Sequence, residues 1–305
     1  MTKKTIETLV EDIYAVFTKK HTIDEDNLNS LGEALKAAVR KAIVSANEKR
    51  IPTLRMSNIG KPDRQLWYEV NSHNPAEVTS FGDIDVFEPN PEKYLKFLFG
   101  DIIEQLLVFL IKESGHTITH AQEELEIDGI LGHTDGAIDT VPSDIKSASS
   151  FQFSQKFKNK ALLRPGNDPF GYVGQLSAYR DRLIAEYPEE IDKEKAAWLV
   201  MNKESGELCL LMADLFDLID APARVSHLKR VLNEKEPPVK KCYPDTAHGD
   251  GGNRILSKSC GYCPFKKKCW ASSNQGHGLR AFKYSDGLKY FTHVSKTPRV
   301  DEVTI

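Results

Sequence analysis

Three aspartates and a lysine fall within one short stretch of the chain, GHTDGAIDTVPSDIKSAS, which runs from Gly132 to Ser149. Asp135, Asp139 and Asp144 interrupt apolar, strand-like sequence, and Lys146 follows the last of them. Carboxylates are costly to bury unless they are paired, hydrogen-bonded or bound to a metal ion. The stretch therefore indicates a functional site and not an ordinary core strand.

The spacing of the last aspartate and the lysine predicts that they act together. Residues i and i+2 of a strand share a face, so Asp144 and Lys146 point the same way and Ile145 turns into the core. Asp135, on the preceding strand-like segment, and Glu104, inside a long apolar helical run, are placed to reach the same point. Carboxylate oxygens suit Mg²⁺ or Mn²⁺, which can activate a bound water and offset charge on a phosphodiester. Such a group of residues is typical of a metal-dependent nuclease.

The D-x-K tripeptide alone is common by chance, but further residues fall in a recognisable order. Four motifs follow one another along the chain: Glu104, Asp135, Asp144-Ile145-Lys146, and Gln175-Leu-Ser-Ala-Tyr179. Together they resemble the PD-(D/E)XK nuclease superfamily over roughly residues 55–270, and within it the RecB-like and Cas4-like exonucleases, including phage-encoded members. The segment Gly100-Asp-Ile-Ile-Glu104 matches the helix motif, with Glu in place of the His of many members. The resemblance implies a restriction-endonuclease-like α/β core with a central mixed sheet flanked by helices.

The resemblance also implies a role for each matching residue. It gives Mg²⁺ or Mn²⁺ four ligands: Glu104, Asp135, Asp144 and the main-chain carbonyl of Ile145. It makes Lys146 the catalytic lysine, and it places Gln175 and Tyr179 beside the active centre, where they help to hold substrate. These two residues lie four apart, hence on one helix face, but the pattern also fits ordinary surface or capping residues. Asp139 has no counterpart and is interpreted as a strand-end or turn residue.

A second group of candidate ligands lies near the C-terminus. Cys260-Gly-Tyr-Cys263 followed by Cys269 gives C-x₂-C-x₅-C, and Cys242 lies upstream as a fourth candidate. Four sulfurs fit Zn²⁺ or an iron–sulfur cluster. His248 is a weaker candidate for the fourth ligand, and Cys209, in the apolar stretch LCLLM, is interpreted as a core residue.

The resemblance favours a [4Fe–4S] cluster, although the chain departs from the family pattern at one ligand. In RecB-like and Cas4-like nucleases, the C-terminal cysteines are joined by one cysteine that precedes the nuclease core. The corresponding stretch here, Gly60–Tyr68, contains no cysteine, and Pro62 or Asp63 stands where it is expected. We therefore expect Cys242 to complete the set, with Zn²⁺ as the alternative to the cluster.

The composition of the whole chain limits the class of protein. The 305 residues carry a formal net charge of −3, so any nucleic-acid-binding surface must be local. No apolar run approaches the ~20 residues of a membrane span, and the N-terminus lacks the apolar core of a signal peptide. We expect a cytoplasmic protein without a membrane partner, located in the host cytoplasm if phage-encoded. Its five cysteines are then ligands or core residues and not disulfides.

Hydrophobic periodicity and texture divide the chain into three predicted segments. They are an N-terminal helical segment (1–50), a nuclease core (51–235), and a Cys-rich metal-binding module with a C-terminal tail (236–305). Helices are predicted over 5–18, 25–48, 91–114, 151–163, 169–187 and 214–234. Strands are predicted over ITHAQEELEI, GILGHTDGAID and VPSDIKSAS, with a hairpin that turns near Glu204–Gly206. The pattern after residue 280 predicts no element.

These observations lead to a functional hypothesis with two alternatives. The chain is expected to be a Mg²⁺- or Mn²⁺-dependent DNA exonuclease of recombination or DNA processing, acting on single-stranded or duplex ends. A single-strand annealing or recombination protein is the expected protein partner. The alternatives are an endonuclease of the same fold, and a nucleic-acid-binding protein with a zinc ribbon and an inactive nuclease core. Retention of all four acidic and lysine residues argues against an inactive core.

Overall fold

The computed structural model describes residues 4–46, 52–71, 91–164 and 166–305. The chain divides into a first compact unit (Met1–Gly60 and Phe87–His227) and a second (Lys61–Val86 and Leu228–Ile305). The three-segment division drawn from the sequence stays a prediction. Within the described ranges, every helix is too short or too polar to cross a bilayer.

The helices that the structure describes account for most of the predicted ones. In chain order they are α1 (Leu9–Thr18), α2 (Glu25–Ala46), α3 (Asp63–Asn71), α4 (Pro91–Glu113), α5 (Ser150–Gln152), α6 (Tyr172–Glu186), α7 (Ala221–Asn233), α8 (Lys258–Gly261), α9 (Lys266–Cys269) and α10 (Ser273–Gly276). Strong 3.6-residue periodicity made α1, α2 and α4 predictable to within a few residues. The last two residues predicted for α2, 47 and 48, lie outside the described residues.

The strands fall into two larger sheets and one hairpin. In chain order they are β1 (Ile118–Thr119), β2 (Glu124–Ile127), β3 (Ile130–His133), β4 (Ala137–Ile138), β5 (Val141–Ala148), β6 (Lys195–Asn202), β7 (Leu208–Asp214), β8 (Thr246–His248), β9 (Asn253–Ile255), β10 (Arg280–Tyr284), β11 (Gly287–His293) and β12 (Glu302–Val303). The predicted hairpin is confirmed as β6 and β7, which are joined through Glu204–Gly206.

The first unit is built on a mixed sheet of order β1-β4-β5-β6-β7. Strands β5 and β6 pair in parallel, and the other neighbours pair antiparallel. Because β5 is central, its first five residues are all buried, including the polar ones. The expected mixed α/β architecture, with helices flanking a central mixed sheet, is confirmed at this level.

Alternation along β5 and β6 sends successive side chains to opposite faces of this sheet. Ile145 and Leu199 pack in one apolar cluster with residues of α1 and α4. Trp198 and Val200 pack in the other, with α6 and the segment after β5. Asp144 is the strand partner of Trp198, so Asp144 and Lys146 share the α6 face. The prediction that Ile145 turns into the core while its neighbours share a face is confirmed.

Three of the predicted elements are wrong in their course. The stretch GILGHTDGAID is not one strand, because residues 134–136 separate β3 from β4. The stretch ITHAQEELEI is not one strand, because a turn separates β1 from β2, with His120 and Gln122 at φ of 56° and 59°. Residues 151–163 do not form one α-helix. Helix α5 continues as a π-helix (Phe153–Lys158), Lys160 adopts φ 53°, and a 3₁₀ turn follows (Ala161–Leu163). Periodicity alone does not report such local hydrogen-bond choices.

Two further helices begin later than predicted. Helix α6 starts at Tyr172 because the Asp168 carboxylate accepts hydrogen bonds from the amides of Gly171 (2.9 Å) and Val173 (2.8 Å) and ends the preceding loop. A 3₁₀ turn (Leu215–Asp217) separates β7 from α7, which begins at Ala221.

The second unit holds an antiparallel sheet of order β12-β10-β11-β9-β8. Strands β10 and β11 form a hairpin that turns between Tyr284 and Gly287. The expectation of no readable element after residue 280 is therefore wrong. The other strands of this sheet have two or three residues, too few to show a period of two.

Candidate functional site

The structure brings Asp135, Asp144 and Lys146 together on the α6 face of the first unit's sheet. The Lys146 Nζ lies 2.5 Å from Asp144 Oδ1 and 3.8 Å from Asp135 Oδ2. Asp135 Oδ2 also accepts a hydrogen bond from the amide of Ile145 at 2.8 Å. Asp144 is completely buried, and its Oδ2 has no hydrogen-bond partner among the described residues. One carboxylate oxygen is thus buried and left unsatisfied at the centre of the group.

The sequence predicted that Asp135 lies on a strand, and this is wrong. Asp135 lies in the connection between β3 and β4. Gly136 fixes this connection, since its φ is 116° and an added Cβ would lie 2.5 Å from the carbonyl oxygen of Thr119. The Gly136 carbonyl accepts the amide of Ser143 at 2.9 Å, which ties the connection to β5. The backbone after Asp135 is therefore held where its carboxylate meets β5.

Glu104 reaches the group from α4 and is half-buried. The side-chain amide of Gln122 donates to Glu104 Oε1 at 2.7 Å, from the turn between β1 and β2. Burial raises the pKa of Glu104 to about 8, with the negative charge of Asp135 adding to the effect. Asp135 is thus close enough for its charge to act on the Glu104 carboxylate.

The ionisation of the strand pair follows from the same burial. Burial raises the pKa of Asp144 to about 7, and Asp135 raises it further against the opposing effect of Lys146. Burial also lowers the pKa of Lys146, but the carboxylates of Asp144 and Asp135 outweigh it and hold that pKa above its ordinary value. The site therefore gathers more acid than its one lysine neutralises.

Gln175 and Tyr179 lie on one face of α6, as their spacing predicts. Tyr179 is buried, and burial followed by the charges of Asp144 and Asp135 raises its pKa above the ordinary value. A hydrogen bond from Gln175 to the tyrosine opposes that rise. Gly132 of β3 makes room for the ring, because an added Cβ would lie 2.9 Å from Tyr179 Cε1 and 2.6 Å from the Cβ of Met56.

Three further residues belong to this neighbourhood and were missed in the sequence. The Tyr172 ring centroid lies 5.8 Å from the Lys146 Nζ, and Gln122 holds Glu104. Asp101 has a pKa raised by burial, with Asp135 contributing. Asp101 lies inside the helix motif and Tyr172 one turn before Gln175, so those two had a positional signal. Nothing in the sequence marks Gln122.

Asp139 lies at a turn with φ 47° and does not join the lysine. Its carboxylate accepts the amide of Thr117 at 3.0 Å and lies 2.5 Å from Nδ1 of His116. The other ring nitrogen of His116 lies 3.0 Å from a carboxylate oxygen of Asp12 in α1. Asp139 thus helps to tie the turn to the N-terminal helix.

The four cysteines of the C-terminal motif lie together in the second unit. Burial raises the pKa of the Cys242 thiol to about 12, and Cys269, Cys260 and Cys263 raise it further, so all four are neighbours. The Cys269 sulfur accepts a hydrogen bond from Nε of Arg64 at 3.1 Å and lies 3.9 Å from the Lys241 Nζ. The sulfurs are therefore accompanied by two cations.

The remaining candidates have other surroundings. Nε2 of His248 lies 3.2 Å from the Tyr284 hydroxyl, and its ring meets Tyr284 and Phe291 edge to face. Cys209 lies in β7, where burial raises its pKa to about 11. Across the described ranges, no three or more His, Cys, Asp or Glu side chains are arranged so that they could hold a metal ion. In the first unit, the Lys146 ammonium lies against the carboxylates of Asp144 and Asp135.

Comparison with known proteins gives little. No protein-family model and no curated protein matches the chain. A solved structure described as "Crystal structure of SSO0001" is similar at a TM-score of 0.38 and 15% identity, covering 77% of this chain and 93% of that one. A likeness this low supports no inference about fold or function.

Proposed function

We propose that this protein is a metal-dependent deoxyribonuclease of the PD-(D/E)XK superfamily, of the RecB-like and Cas4-like exonuclease type, acting in DNA recombination or processing. The observation that supports the proposal most is the buried Oδ2 of Asp144, which has no hydrogen-bond partner among the described residues and lies beside Lys146 and Asp135. A buried carboxylate oxygen without a donor costs folding free energy and is retained where it has a function.

The acidic residues are of the type that binds a divalent cation, although the side chains of the described residues are not arranged to hold one in this structure. Glu104 and Asp144 both have raised pKa values because they are buried, with the charge of Asp135 adding to the effect, and a bound cation would favour their ionised forms. Such a cation would be held by Glu104, Asp135, Asp144 and the carbonyl of Ile145. Mg²⁺ or Mn²⁺ bound there supplies an activated water and offsets charge on the phosphate.

The residues of the chain provide the rest of the chemistry. Lys146 remains cationic at neutral pH because two carboxylates raise its pKa, so it donates to a phosphate oxygen and does not act as a base. Asp144 and Asp135 hold its ammonium at the reacting phosphate. Gln175, through its hydrogen bond to Tyr179, would fix the polar end of that ring, and in this proposal the pair helps to hold substrate.

The cysteine module is proposed to hold a [4Fe–4S] cluster, or Zn²⁺ as the alternative, through Cys242, Cys260, Cys263 and Cys269. The donor types suit either centre, and Arg64 and Lys241 lie beside the Cys269 sulfur, but the side chains of the described residues are not arranged to hold a metal ion in this structure. In this proposal Cys242 replaces the upstream cysteine of the family. Such a centre would stabilise the fold of the second unit.

The nuclease proposal is tested with the purified protein and two variants, Asp144→Ala and Asp26→Ala. Asp26 is an exposed carboxylate in the first turn of α2 and serves as the matched control. Each is incubated with 5′- and 3′-labelled single- and double-stranded DNA in Mg²⁺, Mn²⁺ or EDTA. We expect metal-dependent release of label by the parent and Asp26→Ala, and at least about a hundredfold less by Asp144→Ala.

The same experiment separates the alternatives. Cleavage of circular DNA, which has no ends, identifies an endonuclease of the same fold. DNA binding with no cleavage under any metal condition favours the nucleic-acid-binding alternative. Cleavage by Asp144→Ala at the parent's rate removes the site assignment.

A further inference from the structure

The segment that joins β5 to α6 presents an aromatic ring beside the candidate site. Phe170 is 49% exposed and stacks on Tyr172, with ring centroids 5.6 Å apart and planes inclined by 27°. The Tyr172 centroid in turn lies 5.8 Å from the Lys146 Nζ. Two stacked rings thus lead from the surface to the lysine.

Packing and backbone hydrogen bonds fix the position of the Tyr172 ring. The buried ring of Phe157, in the π-helix, lies 5.9 Å from Tyr172 on a tilted plane. The Asp168 carboxylate accepts the amides of Gly171 and Val173, which fixes the backbone on both sides of Tyr172. A large apolar ring held half-exposed by buried neighbours is a surface prepared for a flat ligand.

The charge of this segment indicates what kind of ligand that is. Between Ser150 and Tyr172 the chain carries four cationic side chains and one acidic residue: Lys156, Lys158, Lys160, Arg164 and Asp168. The Asp168 carboxylate accepts the amides of Gly171 and Val173, and Lys158 pairs with Glu207 at 2.5 Å, whereas Lys160 and Arg164 are exposed. An exposed aromatic ring in a segment with an excess of cationic residues matches a polyanion that carries flat bases, as in proteins that bind single strands.

We propose that Phe170 and Tyr172 form a stacking subsite for a nucleobase of an unpaired DNA strand, adjacent to the phosphate at Lys146. The position of that phosphate rests on the proposed function, but the stacking itself does not require cleavage. A base inside a duplex presents no free face, so the subsite selects strands whose end is unpaired.

The test uses fluorescence of 2-aminopurine, which is quenched when the base stacks. A single-stranded oligonucleotide with a terminal 2-aminopurine is titrated with full-length protein in EDTA, so that binding is measured without cleavage. We expect quenching by the parent and Phe170→Trp, and about tenfold weaker binding with little quenching by Phe170→Ala. Phe17→Ala is the matched control, because Phe17 is 71% exposed on α1, which packs on the opposite sheet face.

A second substrate separates stacking from a change in folding. With an abasic terminal nucleotide, the parent and Phe170→Ala should bind equally, since no base is present to stack. A loss of binding in Phe170→Ala that persists with the abasic strand, or equal quenching by both proteins, overturns the proposal. Quenching by the parent without cleavage under any metal condition supports the stacking subsite and contradicts the nuclease. Metal-dependent cleavage without quenching supports the nuclease and contradicts the subsite.

Discussion

The chemistry of the candidate site depends on single atoms. Asp144 contributes one oxygen to Lys146 and leaves the other buried without a donor. The period of two along a strand was enough to predict that these two side chains face the same way. It could not predict the unsatisfied oxygen or the support of Glu104 by Gln122, because both depend on contacts between residues distant in sequence.

The raised pKa of Glu104 predicts a pH dependence of stability in metal-free protein. With the pKa rising from 4.5 to about 8 on folding, the native state binds more protons than the unfolded chain between those values. Stability should therefore fall as pH rises through that window and level off above it. We expect chemical denaturation in EDTA from pH 5 to 9 to show this fall, with a shallower slope for Glu104→Gln.

Asp144 adds to the same trend through its own raised pKa, so Glu104→Gln should keep part of the slope. Glu11→Gln, an exposed change on α1, should leave the parent slope intact. Equal slopes for Glu104→Gln and the parent would contradict the assignment of Glu104 to the buried acidic group.

Removal of the Gln122 amide should impair the proposed nuclease without abolishing it. Gln122→Ala deletes the 2.7 Å hydrogen bond to Glu104, which leaves the carboxylate less well oriented. We expect about a tenfold loss of kcat/KM and an altered pH–rate profile. Gln105→Ala, which removes a longer contact of 3.3 Å to the same oxygen, should have a smaller effect, and the reverse order would contradict the proposed support.

At the scale of elements, close packing between segments fixes the site. Gly132 lets β3 approach both Met56 and the α6 ring of Tyr179, and Gly174 of α6 approaches Gly60, where an added Cβ would lie 2.4 Å from its Cα. Long amphipathic helices were predictable from periodicity, but the π-helix after β5 and the turn at Gln122 were not. These irregular segments carry Phe157 and Gln122, so the unpredicted parts of the fold are the ones that shape the site.

Gly132→Ala should therefore lower both stability and activity. The new methyl group meets the Cβ of Met56 and the Tyr179 ring, and overpacking of this kind costs about 1–3 kcal/mol. Gly32→Ala is the opposite control, because no atom lies within 4 Å of its added Cβ in α2. That change should stabilise by up to about 1 kcal/mol, as measured by urea unfolding. A neutral Gly132→Ala would show that the contact relaxes easily.

At the scale of the whole molecule, the two units carry different chemistry. The first holds the acidic group, and the second holds the cysteines with their accompanying cations. The sequence indicated the first unit's architecture because its long elements have clear periods. The second unit's sheet was missed because its strands are short, although the cysteine spacing alone pointed to a shared centre.

The proposed metal centre makes the second unit sensitive to the loss of any one thiol. Cys269→Ser should reduce bound iron or zinc and lower the unfolding midpoint, whereas Cys209→Ser, in β7, should leave the bound metal unchanged. Metal analysis and visible absorbance after anaerobic purification measure the metal content, and thermal unfolding measures the midpoint. Brown protein with broad absorbance indicates iron–sulfur, and colourless protein with stoichiometric zinc indicates the alternative. Parent protein with neither metal would contradict the centre.

The parallel pairing of β5 with β6 has a consequence for how such a protein can diversify. Parallel neighbours cannot be joined by a tight turn, so residues 149–194 must cross over the sheet before the chain returns. That obligatory crossover carries Phe170, Tyr172, Gln175 and Tyr179, while the acidic group lies outside it. Insertions or exchanges within the crossover can thus alter which nucleic acid the protein is proposed to bind, while the acidic residues proposed to cleave it are unchanged. The topology therefore makes residues 149–194 a segment that can be exchanged in protein redesign.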